Sequence, residues 1–84
     1  MNNNSSVQMN SMERAILEIE RGHWGKYTKR DEAIEKLTGL STFQYYVILS
    51  DLLNRPYFWE ADPVLVDRLR RLRDRKLRER MIVG

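Results

Sequence analysis

"LTGLSTFQYYVILSDLLNRP", residues 37–56, sets a glycine between two apolar stretches and follows it with tyrosines and leucines. It is either the turn of a helix-turn-helix with a DNA-reading helix behind it, or a bend between two buried helices. Gly39 suits a left-handed position just past a helix end, where a residue without Cβ avoids a steric cost. Leu40 is the apolar residue that plugs such a turn. Ser41 and Gln44 have the spacing of a capping box, in which each side chain bonds the other's backbone N–H. A helix is therefore predicted to start there, with Tyr45, Ile48, Leu49, Leu52 and Leu53 on its apolar face and Asn54 closing it.

Working backwards, Ala33, Ile34 and Leu37 are predicted to face inward on a helix from Asp31 to about Thr38, capped by Thr28 or Asp31. Before it, Met12, Ile16, Ile19 and His23 recur at helical spacing after an Asn10/Glu13 capping box. That predicts a first helix from about Ser11 to about Gly22, with Gly22 and Gly25 at its end. Working forwards, "YFWE" (57–60) reads as a short aromatic linker. Asp62-Pro63 then places an N-cap before a proline at the first helical position. The last helix is predicted from Pro63 to about Arg80, with Val64, Leu65, Leu69 and Leu72 as its apolar residues.

No strand is predicted, because "YYVIL" is β-prone but framed by helix caps. The expected fold is all-α: a small bundle of about four helices with a long basic C-terminal helix. Residues 1–10 read as a flexible polar tail, 11–60 as a helical core with the helix-turn-helix-like unit at 31–54, and 61–84 as the basic helix.

Composition bounds the function. A chain of 84 residues buries only about 60–65% of its unfolded surface, so its stability margin is small. With no cysteine and one histidine, neither a disulfide framework nor a thiolate or multi-histidine metal site is available. The glycines form no phosphate-binding loop. Glu13, Glu18, Glu20, Glu32 and Glu35 read as exposed helix faces, not as a paired-carboxylate site. His23 is expected to pack or bond beside Trp24 at a helix end. No enzyme, cofactor or small-molecule substrate is indicated. No stretch has the ~18 apolar residues of a membrane span and none reads as a signal peptide, so a cytoplasmic protein is expected, nucleoid-associated if it binds DNA.

The charge is unevenly placed. Arg68, Arg70, Arg71, Arg73, Arg75, Lys76, Arg78 and Arg80 stand against only Asp74 and Glu79, which makes residues 68–80 +6 in a chain of net +3. Pairs such as Asp67–Arg71 and Asp74–Arg78 would be worth only about 0.3–0.5 kcal/mol each. They would leave most arginines unpaired, arranged around most of the helix. An anionic partner follows, and these eight residues are the phosphate-binding candidates.

For the turn, Gly39, Leu40, Ile34, Leu37, Tyr45 and Ile48 supply what a helix-turn-helix needs, although Glu35 stands where many such motifs have alanine. The base-reading candidates are then Thr42, Phe43, Gln44 and Val47, at the end of the helix that meets base edges in this motif. Gln44 either contacts adenine or only caps its own helix. Phe43 either meets a thymine methyl or packs on the linker aromatics. Trp24, Tyr27, Tyr57, Phe58 and Trp59 are core residues by default, with base stacking as the alternative.

Taken together, "ILEIERGHWGKYTKRDEAI", "GLSTFQYYVILSDLLNRP" and "ADPVLVDRLRRLRDRK" resemble a family of small uncharacterised actinobacterial and actinophage proteins with a helix-turn-helix-like region. The resemblance covers roughly residues 16–76. Where that family usually has two adjacent tryptophans, this chain has His23-Trp24. It implies a bacterial or phage control protein and identifies no reading residue.

The main expectation is thus a small transcriptional regulator or phage control protein that binds duplex DNA, acting as a homodimer or with a protein partner. Leu65, Leu69 and Leu72 are candidates for pairing between copies, on a stripe too short for a coiled coil. The alternative is an interaction module whose basic helix docks on an acidic host or transcription-factor surface. RNA binding is a third reading.

Overall fold

A computed structural model describes the backbone of residues 9–83 and the side chains of residues 9–79. The expected tail therefore falls mostly on residues 1–8, outside the described residues. The chain is all-α, with five helices and no strand among the described residues: α1 (Ser11–Glu20), α2 (Arg30–Thr38), α3 (Thr42–Leu52), α4 (Pro56–Ala61) and α5 (Pro63–Val83). The chain divides into two compact units, the first ending at Leu49 and the second beginning at Ser50.

In the first unit α1 starts at the anticipated capping box. The Asn10 side chain accepts from the Glu13 N–H at 2.8 Å, and Glu13 accepts from the Asn10 N–H at 3.1 Å. The helix stops two residues earlier than its periodicity suggested. Gly22, at φ 91°, lets the chain close a Schellman motif: the Gly22 N–H donates to the Ile19 carbonyl and the His23 N–H to that of Glu18. The Trp24 indole adds a third bond, to the Ile19 carbonyl at 3.1 Å. His23 thus sits where expected, at the helix end beside Trp24, with Nδ1 2.6 Å from Glu18 Oε1. Hydrogen bonds from His23 and then Arg21 hold the Glu18 carboxyl below its ordinary range.

α2 departs from the sequence reading at its N-terminal cap and in the exposure of Leu37. Its N-cap is Lys29, without a side-chain cap bond, so neither Thr28 nor Asp31 plays that part. Ala33 and Ile34 are fully buried, but Leu37, one turn on and next to the bend, stays 41% exposed. Gly39 follows at φ 76° and donates its N–H to the Glu35 carbonyl at 2.8 Å, the left-handed helix stop that the sequence indicated. The Thr38 hydroxyl ties the bend down by accepting from the Leu40 N–H and donating to the Ile34 carbonyl. α3 then begins in the Ser41/Gln44 capping box, both bonds at 3.1 Å.

The apolar core of this unit is Ile16, Leu17, Ile19, Ala33, Ile34, Tyr45 and Leu49. A polar group is set into its edge. Glu20, read from sequence as an exposed face, has a side chain only 5% exposed. It accepts from the Tyr45 hydroxyl at 2.7 Å and pairs with Arg30. Arg30 in turn donates to the Tyr46 hydroxyl at 2.7 Å and lies over both tyrosine rings. One carboxylate therefore gathers α1, α2 and α3.

In the second unit "YFWE" is not a linker. Pro56 occupies the first turn of a short helix, α4, where its missing N–H costs nothing. Asp62 ends α4 and caps α5, accepting from the Leu65 N–H at 3.3 Å. Phe58, Leu52, Leu53, Leu65 and Val66 are the buried apolar residues here. Val66, absent from the predicted stripe, is fully buried, whereas Val64 is 82% exposed.

Two measurements check this fold. A Cβ at Gly39 would meet nothing within 4 Å, so Gly39→Ala carries backbone strain alone and should cost roughly 1–2 kcal/mol by urea unfolding. Tyr45 is fully buried. Burial, then its bond to Glu20, raises its hydroxyl pKa above the ordinary 10 of tyrosine. Below that pH both folded and unfolded chains hold the proton; above it only the unfolded chain releases it, so stability falls as pH rises. Tyr45→Phe should lose about 1–3 kcal/mol at neutral pH and flatten the decline above pH 10, with an unchanged alkaline slope excluding this origin.

Candidate nucleic-acid interface

The eight cationic residues of the C-terminal segment are not equivalent once the helix is built. At 100° per residue, Arg68, Arg71, Arg75 and Arg78 fall at spacings of three, four and three, within an arc of roughly 80° along about 15 Å of α5. All four are exposed. None forms an ion pair or hydrogen bond with another described residue. Lys76 is exposed to one side of this stripe. The Arg80 side chain lies outside the described residues.

Arg70 and Arg73 point the other way, with Leu65, Val66 and Leu69, and their guanidinium groups close the end of α3. The last carbonyls of a helix have no partner within it. Here each finds one in turn. Arg73 Nη1 donates to the Ser50 carbonyl at 2.9 Å, and Asn54 and Arg55 N–H groups to those of Asp51 and Leu52. Arg70 Nε donates to that of Leu53. Arg73 Nη1 also reaches Asn54 Oδ1 at 3.0 Å. A cation at a helix C-terminus also meets the negative end of its dipole. Composition shows eight similar cations; only the partners they meet separate the two that hold the fold from the rest.

The acids are redistributed as well. Asp67 does not pair with Arg71; it accepts from the Trp59 indole at 2.9 Å. Asp74 does not pair with Arg78; Arg73 Nε donates to it at 3.3 Å. The stripe is left without the i,i+4 partners that the sequence offered it.

The base-reading candidates lie in the first unit. Thr42, Phe43, Gln44 and Val47 are all exposed, Phe43 at 78% and Val47 at 54%. Gln44 Oε1 accepts from the Ser41 N–H, so a bidentate contact to adenine would draw on the oxygen that caps α3. The electrical setting is unfavourable to phosphate. α3 contains no lysine or arginine, and Asp31, Glu32 and Glu35 of α2 line a cleft of about 420 Å³ with Ser41 and Thr42. The first unit carries six basic and six acidic residues; the second carries nine basic and six acidic. Of the aromatics, Tyr45 and Phe58 are fully buried, Trp24 and Trp59 donate hydrogen bonds, and Tyr27 and Tyr57 are half-buried.

Among the described residues no group of histidine, cysteine, aspartate or glutamate is placed to hold a metal ion. No described helix is long and apolar enough to cross a membrane.

The two roles of the arginines separate by experiment. Arg70→Gln and Arg73→Gln should each destabilise the second unit by about 1.5–3 kcal/mol, because each leaves a helix-end carbonyl without its charged donor. Arg71→Gln and Arg75→Gln should stay within about 0.5 kcal/mol of the parent. Equal losses at all four positions in urea unfolding would contradict this division.

No curated protein and no solved structure matches this chain. One family model does match, over residues 8–81. On that match the chain belongs to the family described as "Protein of unknown function (DUF3263)".

Proposed function

We propose that this chain is a small DNA-binding protein, a transcriptional regulator or phage control protein that acts by occupancy and carries out no chemistry. The observation that supports this is the uncompensated stripe of Arg68, Arg71, Arg75 and Arg78 on α5. Four guanidinium groups along about 15 Å of one helix face suit a run of phosphates, which arginine binds through paired N–H donors. In this reading α5 supplies the affinity. The bend at Gly39 is the turn of a helix-turn-helix, and Thr42, Phe43, Gln44 and Val47 supply what sequence preference there is. Because α3 carries no cation, its own contribution to affinity is small. A source in actinobacteria or their phages, implied by the resemblance of the sequence, fits a regulator of this size.

A second reading keeps the stripe and changes the partner to an acidic protein surface. Leu72, 41% exposed beside the stripe, favours it, since a phosphate backbone offers such a side chain nothing. Structured RNA is the third candidate, and binds more tightly than duplex at matched salt if it is the partner.

Salt dependence on a random-sequence duplex distinguishes these. Four phosphate contacts give a slope of log Kobs against log[salt] of about −3 to −4, and Arg71→Gln with Arg75→Gln should reduce it by about 2 units. Gln44→Ala should leave that slope alone and shift preference among sequences recovered from a randomised library. Absence of duplex binding at low salt would overturn the DNA reading.

A further inference from the structure

α3 turns Phe43, Tyr46 and Val47 to solvent at 78%, 42% and 54% exposure. Their spacing puts them within roughly 100° of one helix face. The Tyr46 hydroxyl is held by Arg30, so this apolar face is presented on a fixed element. Asp31, Glu32 and Glu35 line a neighbouring cleft that reaches α3 at Thr42, the residue before Phe43. None of these three forms an ion pair with a described residue. An apolar face with a carboxylate-lined cleft beginning at the preceding residue calls for an apolar residue flanked by cations. The chain carries such a surface itself. On α5 Leu72 is 41% exposed, and Arg68, Arg75 and Lys76, at four residues before and three and four after it, surround it on the same side. All three cations are exposed and without an acid partner among the described residues.

We propose that a second copy of this chain is the occupant: α5 of one copy docks on the α3 face of another. Leu72 packs against Phe43 and Val47, and Arg68, Arg75 and Lys76 face Asp31, Glu32 and Glu35. This docking covers both the Thr42–Val47 turn and the arginine stripe. Self-association and nucleic-acid binding therefore exclude one another, and a polyanion dissolves the pair by competing for the same cations. The docking goes beyond the DNA-binding proposal and does not depend on it; the mutual exclusion alone rests on that reading.

The test is sedimentation velocity on nuclease-treated full chain over a range of protein and salt concentrations, with helix content followed by circular dichroism. The expected result is association that grows with concentration and weakens with salt. Three paired changes should each weaken it roughly tenfold or more while leaving helix content intact: Phe43→Ser with Val47→Ser, Glu32→Arg with Glu35→Arg, and Arg68→Glu with Arg75→Glu. Mixing the last two proteins should restore association between them, because the reversed charges again oppose each other. A chain that is monomeric at every concentration overturns the proposal, as does an association that ignores all three changes or a mixture that restores nothing. Adding a random-sequence duplex should dissolve the pair. A duplex that binds and leaves the pair intact overturns the mutual exclusion. A chain that associates as described but binds no duplex leaves the docking standing and removes only the DNA reading.

Discussion

A carboxylate withdrawn from water must find charge and hydrogen-bond donors close by, and Glu20 finds them on two other helices. Arg30 begins α2 and Tyr45 lies in the first turns of α3, so satisfying one side chain of α1 fixes where both must come. The bend at Gly39 makes this possible. It ends α2 at Thr38, and the Ser41/Gln44 box starts α3 three residues before Tyr45, which is fully buried in the core. Removing one partner of such a cluster leaves the others unsatisfied, at a cost of about 3–5 kcal/mol when a charge is orphaned. The conformational demand on the turn and the electrostatic demand of the buried acid therefore agree on one arrangement of the first unit.

The second unit solves a related problem with opposite charge. A helix that stops at Leu52 presents carbonyls with no partners, and Arg70 and Arg73 reach across from α5 to meet two of them. This divides the arginines by function. Those on the inner side complete the end of α3 and shield its carbonyls; those on the outer side have only solvent. Trp59 and Arg73 engage Asp67 and Asp74, which leaves the stripe without ion pairs to either aspartate. The same bonds that stabilise the unit thus expose the feature on which its proposed function rests.

Charge also separates the two surfaces on which a function can be built. The exposed turn of α3 is apolar with acidic neighbours, and the outer face of α5 is cationic. A helix-turn-helix that reads DNA usually anchors its reading helix with phosphate contacts of its own. In the reading proposed for this chain, α5 would supply that anchoring, and the exposed turn of α3 would supply preference. A surface of each kind in one chain is also the condition for copies to recognise each other.

The sequence by itself determined every helix start that depends on local chemistry. Asn10/Glu13, Ser41/Gln44 and Asp62-Pro63 cap by bonds between residues no more than three apart, and Gly39 stops α2 because only glycine takes φ 76° without strain. These features were legible because both partners lie in one short window. Pro56 stands in the first turn of α4, but the residues after it read as a linker, since a helix of six residues has too few positions to show a period. Only the tertiary structure decided which polar groups are buried or paired. Glu20 has the same periodic spacing as the solvent-facing glutamates, and nothing local tells Arg70 and Arg73 from Arg71 and Arg75. Their roles are set by Tyr45, 25 residues from Glu20, and by carbonyls 17 and 23 residues from the arginines that bind them. Contacts at that separation exist only once the helices have packed, and so the stripe that α5 presents is a product of the fold as much as of its composition.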